Sequence, residues 1–198
     1  DADIVHGRSV GKFVAGIETI DVRSFSLAND PDFSIGHPTL FVEHAVYQAL
    51  FEYREGSHDL AKHRLRKIFR KESDGSKSEI WWDAKHQLLV DFVVAPQHAK
   101  LVSGEETTCR QYSFKLATLV YASRLMGIDR ELPDEVANLR RILSTVQFGD
   151  GGIPHFYDVR IDPVVFTACP DATGEATAIF MLAETIRPDK ELVPQLTR

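Results

Sequence analysis

Between Leu139 and Glu184 the sequence writes a helix, an abrupt stop and a second helix. Leu139, Ile142, Leu143 and Val146 recur at three- and four-residue spacing, the mark of one buried helical face. Asp150-Gly151-Gly152 ends that pattern, because glycine weakens a helix interior and supplies the left-handed backbone that closes one. Cys169-Pro170-Asp171 then leads into Ala172-Thr173-Gly174-Glu175-Ala176 and an apolar run. Asp171 sits where an acidic residue would cap that second helix, and Glu175 where it could bond back to the helix start.

Helical spacing governs most of the remaining chain. Leu40 to Tyr53 predicts a helix led in by His37-Pro38-Thr39, and Ser57 caps another whose apolar face is Leu60, Leu65, Ile68 and Phe69. A third is expected over 79–94, with Pro96 closing it. From Thr107 or Thr108 to Met126 the residues are apolar nearly all round, as in a helix covered on both sides. Pro133-Asp134-Glu135 opens the next, and the last runs over 172–186. Strand signals are confined to Val22–Leu27 and Val159–Phe166. Seven helices, narrow-faced and fully apolar in imperfect alternation, predict an all-α single domain over 1–198 with two concentric layers. Leu65 to Gly75 and Leu139 to Gly151 form a faint internal repeat, each ending at Asp-Gly before aromatic residues.

Composition narrows the function classes. In 198 residues, 43% of them hydrophobic, one sizeable core can be buried. The net charge of -6 and scattered basic residues do not fit a nucleic-acid surface. No apolar run reaches the roughly 20 residues of a membrane-spanning helix, and there is no signal-peptide pattern. Two cysteines, Cys109 and Cys169, suggest reduced thiols and a cytoplasmic setting. Neither His58 with His63 nor His37 with His44 has a metal-ligand spacing, so no metal or other cofactor is expected. No Gly-x-Ser-x-Gly elbow occurs either.

Arg140-Arg141-Ile142-Leu143, Gln147 and Asp150-Gly151-Gly152-Ile153 resemble the glutamine-to-tryptophan repeat of squalene and oxidosqualene cyclases, with Ile153 where that repeat prefers Trp. Similar turns occur in the β subunits of protein prenyltransferases. Asp171-Ala172-Thr173-Gly174-Glu175-Ala176 resembles the Asp-Cys-Thr-Ala-Glu signature of sterol-forming cyclases, or the Asp-x-Asp-Asp-Thr-Ala run of their bacterial relatives. Ala172 replaces the hydrogen-bonding Cys or Asp, Gly174 replaces Ala, and Cys169 stands where the bacterial run has its first Asp. Asp1-Ala2-Asp3-Ile4 echoes the same run faintly.

The resemblance implies an α/α toroid of the terpenoid cyclase and prenyltransferase type, or an arc of one. It implies acid-initiated cyclisation of a polyprenyl, isoprenoid substrate, as in class II terpene cyclases. Such chemistry needs a carboxylic acid kept neutral by burial and aromatic faces that stabilise a carbocation without quenching it. Asp171 would be the acid and His155 a residue orienting it. Trp81, Trp82, Tyr112, Phe148, Phe156 and Tyr157 would line the cavity. As a plain cap, Asp171 would instead be ionised. A twelve-helix ring needs more than 198 residues, so an oligomeric partner or missing sequence would complete it. The rival readings are a non-catalytic toroid that binds a lipid or protein, and a carbohydrate-active lyase or hydrolase. The last would present an open groove with paired carboxylates.

Overall fold

The computed structural model describes residues 8–15, 18–24, 42–69, 82–90 and 94–186. The chain divides into two compact units, Asp1–Pro38 and Thr39–Arg198. In the first, β1 (Arg8–Ala15) and β2 (Glu18–Ser24) pair antiparallel, Arg8 opposite Ser24 and Ala15 opposite Glu18. The second opens with α1 (Val42–Arg54) and α2 (His58–Phe69), then β3 (Trp82–Asp83), β4 (Leu88–Leu89) and α3 (Ala95–Ser103). β5 (Cys109–Tyr112) runs directly into α4 (Ser113–Leu125), followed by α5 (Ile128–Glu131) and α6 (Pro133–Val146). Four short strands, β6 (Ile153–Pro154), β7 (Phe156–Arg160), β8 (Val165–Ala168) and β9 (Ala172–Thr173), precede α7 (Gly174–Thr185).

α4 is the axis of this second unit. Leu116, Ala117, Leu119, Val120 and Ala122 are each at most 1% exposed, and the helix reaches water only in part, along Phe114, Tyr121, Arg124 and Leu125. α1, α6 and α7 all pack against it. Three sets of contacts fix their direction. Glu43 pairs with Lys115 near the starts of α1 and α4, and one turn on Tyr47 lies beside Thr118. The backbone of His155 links the starts of α4 and α7, accepting from Ser113 N–H (3.1 Å) and donating to the Asp171 carbonyl (2.7 Å). At the other end Glu184 pairs with Arg124 of α4 (3.2 Å) and Arg140 of α6 (2.6 Å). α1, α4 and α7 therefore run parallel.

Parallel neighbours cannot be joined by tight turns, so the chain must return between them. α2 folds back on α1, with Arg64 forked onto Glu52 (2.6 and 3.0 Å) and His58 stacked on Tyr53. Between α6 and α7 the return is made by strands. β5, β7 and β8 form an antiparallel sheet in the order β5-β7-β8, and β6 pairs with β9. Gln147 leaves α6 extended, and its side-chain amide donates to the Gly151 carbonyl (2.7 Å). Gly151 has φ +92°, which a side chain would strain. Ile153, fully buried, donates its N–H to the Thr177 hydroxyl of α7 (2.9 Å).

These strands overturn the expectation of an all-α toroid or arc. The described residues hold seven helices joined by short antiparallel sheets, a mixed α/β chain. The physical reason lies in alternation that helical spacing masked. Cys109 and Gln111 are buried while Arg110 is exposed, and Tyr157 and Val159 are buried between less buried neighbours. That is the period of a strand with one covered face. Within the helix expected over 79–94, the described residues 82–89 form instead a hairpin turning at 84–87, and Pro96 opens α3 rather than closing a helix. The Asp1-Ala2-Asp3 echo lies outside the described residues, as does Trp81. No helix among the described residues is long and apolar enough to cross a membrane.

Leu119→Ala should cost about 2–5 kcal/mol of stability, the usual penalty for emptying an enclosed leucine site, while Met181→Ser on the exposed side of α7 should stay within about 0.5 kcal/mol. Urea unfolding of both variants checks the pair.

Candidate functional site

The starts of α1, α4 and α7 meet at one end of the second unit, and charged and aromatic side chains gather there. Lys115 enters from the first turn of α4, its side chain 7% exposed, and pairs with Glu43 of α1 (3.0 Å). Its ammonium also sits 5.2 Å from the centre of the Tyr112 ring. Such a cation is strongly solvated elsewhere, and here the Glu43 carboxylate and the Tyr112 ring face are among the groups that stand in for the lost water. Tyr47, 45% exposed, stands between Glu43 and Glu175. Burial and these two negative charges push its phenol up from the ordinary value, against the Thr118 hydroxyl, so it stays a hydrogen-bond donor.

An aromatic group continues this face. Tyr112 lies 4.6 Å from Phe156 and 5.7 Å from His155, ring centre to ring centre, and His155 stands edge-on to Phe156 at 4.2 Å. Phe114 meets Tyr112 edge-on at 5.8 Å. All four rings are partly buried. β6 and β9 bring the main chain of Asp171 onto His155, two positions 16 apart in sequence. The Asp171 side chain is exposed, and its carboxylate makes no hydrogen bond among the described residues.

The other expected cavity residues are dispersed. Trp82 is half-buried on β3, edge-on to Phe69. Phe148 lies in the glycine turn, its N–H bonded to the Gly152 carbonyl (2.8 Å). Tyr157 is fully buried and its hydroxyl donates to Gln111 Oε1 (2.6 Å). Sequence reasoning passed over Glu43, Tyr47 and Lys115. One signal was available, since Lys115 is a cation in the first turn of an otherwise apolar stretch.

A second polar cluster holds the β3–β4 hairpin to α3. Asp83 Oδ1 accepts the backbone N–H groups of Lys85 (2.9 Å) and His86 (3.1 Å), building the turn. Asp83 Oδ2 accepts from His86 Nδ1 (2.6 Å) and His98 Nε2 (2.9 Å). Burial opposes the charge on Asp83, but the bonds from His86 and the nearby imidazoles outweigh it and hold the carboxyl below its ordinary value. An ionised carboxylate can only accept, so both ring nitrogens facing it carry protons. The far nitrogens, His86 Nε2 and His98 Nδ1, are buried without a hydrogen-bond partner. The pattern is a structural staple with two imidazoles on one acceptor. Among the described residues no group of three His, Cys, Asp or Glu side chains could hold a metal ion.

The depressed carboxyl makes the staple pH-dependent. Its contribution is complete above the unfolded Asp value near 3.9 and is lost as pH falls through the lower folded value. Asp83→Asn should therefore destabilise the protein at pH 7, with the gap to the parent closing as the solution is taken below about pH 4. Denaturant titrations across that range give the readout. Compared with protein-family models, curated proteins and solved structures, the chain matches none, and its functional reading rests on the geometry of this face.

Proposed function

We propose that the face formed by the starts of α1, α4 and α7 binds a carbohydrate and presents carboxylates for hydrolase or lyase chemistry on it. The carrying observation is Tyr47, exposed and close enough to Glu43 and Glu175 to feel both charges, at the helix starts where the aromatic rings also gather. Sugars are amphipathic: their C–H faces lie against aromatic rings, while their hydroxyls donate to carboxylates and accept from donors. Tyr112, His155 and Phe156 supply the rings, Glu175 and Asp171 the exposed acceptors, and the protonated Tyr47 phenol a donor. Paired carboxylates are also what glycoside cleavage requires, one to give a proton and one to activate water or attack. An open, partly polar surface suits a hydrated chain better than a hydrocarbon.

The reading predicts binding of a soluble oligosaccharide from a glycan panel, with Tyr47→Phe and Glu175→Gln each weakening it about tenfold, equivalent to one lost hydrogen bond of about 1.4 kcal/mol. Calorimetry on the selected glycan measures this. A panel without any binder ends the proposal.

Acid-initiated cyclisation of a polyprenyl substrate is the second reading. It is favoured by one observation, the strand pairing that sets the main chain of Asp171 on that of His155, whose ring lies beside Tyr112 and Phe156. Its acid would have to be covered and neutral during turnover, a condition the bound substrate would supply by excluding water. Under this reading Asp171→Asn abolishes formation of cyclic product from a polyprenyl substrate while circular dichroism is unchanged.

A further inference from the structure

The parallel course of α1, α4 and α7 sets three matching stripes along one side of the second unit, with α4 between the other two helices. Tyr47, Phe51 and Arg54 recur at helical spacing on α1, as do Thr118, Tyr121 and Leu125 on α4 and Glu175, Ala178 and Leu182 on α7. Tyr47 fixes their register, since it bonds to the Thr118 hydroxyl and feels the charge of Glu175. Beyond Tyr47 the row turns apolar. Phe51, Tyr121 and Leu125 are partly open to water, Ala178 is exposed and Leu182 is 56% exposed. Scattered apolar residues on a surface need no explanation, but a continuous apolar patch with polar borders marks a contact surface. The borders here differ in sign. Glu43 and Glu175 stand in the first turns of α1 and α7, and Arg54, exposed, in the last turn of α1.

We propose that this row of helices is a self-complementary interface for a second copy of the chain. A two-fold pairing sets one surface against itself. Laying the helix starts of one copy over the helix ends of the other brings each Arg54 to the acidic starts opposite it, while the apolar residues between them cover one another. The area agrees with a reversible pair. The helices have 12 or 13 residues, so at about 1.5 Å per residue and about 9 Å between axes the face covers about 500 Å² on each copy. About 1,000 Å² in the pair is the lower bound of specific interfaces and predicts dissociation in the micromolar range. The inference goes beyond the carbohydrate reading. Tyr47 and Glu175 serve both, so the pair is closed to a glycan and the single copy is the form that binds one.

Sedimentation velocity on the full chain, from about 1 µM to about 0.3 mM, should show single copies giving way to pairs. Leu182→Asp, a charge within the apolar part of the row, should weaken pairing at least about tenfold. Val102→Asp should leave it unchanged, because Val102 is a comparably exposed aliphatic residue, at 49%, on α3 outside the row. Arg54→Glu and Glu175→Arg should each weaken pairing about tenfold, and the double variant should recover the parent's affinity to within about threefold, since the exchanged charges still face each other. All these positions are exposed, and unchanged circular dichroism separates lost pairing from lost folding. A chain that stays single throughout the series overturns the proposal and leaves the face to another occupant. A pair indifferent to Leu182→Asp overturns it too, as does a double variant no better than its parts. No glycan enters these measurements, so the pairing and the carbohydrate reading fail separately.

Discussion

A helix buried over most of its surface has to be enclosed, and α4 sets that requirement for the whole second unit. Its burial brings α1, α6 and α7 onto it, and its charged side chains, Lys115 and Arg124, stand near its two ends. At the far end the charges are paired on Glu184, whose carboxyl is held low by Arg140 and Arg124 despite partial burial. At the near end Lys115 is carried inside and held by Glu43. Surface ion pairs contribute little to stability, but these two groups fix which helices meet and in which direction. The apolar body supplies the free energy and the charged ends supply the geometry.

That division explains what could be read from the sequence. The apolar stretch over 113–125 and the amphipathic face of 133–146 were legible, because burial writes itself as helical spacing. The Gln147 to Gly152 turn was legible as well, since Gly151 needs a backbone that few residues adopt. Strands were not. β5 is four residues long and merges into the apolar pattern of α4, so its alternation was absorbed into the helix. β3 and β4 are two residues each, and their hairpin depends on Asp83 bonding to the turn, which no periodicity reveals.

The candidate site shows the same limit. Local sequence drew attention to Asp171, His155, Tyr112 and Phe156, and strand pairing brings these together at one face. It could not show that the Asp171 side chain would be exposed or that Tyr157 would be enclosed against Gln111. Glu43 and Tyr47 lie more than 60 residues from Lys115 and Glu175, and their roles exist only because α1 runs parallel to α4. His98 likewise meets Asp83 across 15 residues and a change from strand to helix. Contacts of this kind are set by packing, and packing is what a local pattern does not carry.

The parallel course of α1, α4 and α7 also has an electrostatic result. Each helix start carries the equivalent of about half a positive charge, and three such starts point toward one face. Antiparallel helices would cancel one another there; these reinforce. The local field is thus more positive than the side chains suggest. Glu43 and Glu175 stand in the first turns of α1 and α7, and Asp171 just before α7, at these helix starts. In a chain of net charge -6, Lys115 balances Glu43 directly, and the three helix starts add backbone counter-charge for the acids that gather there.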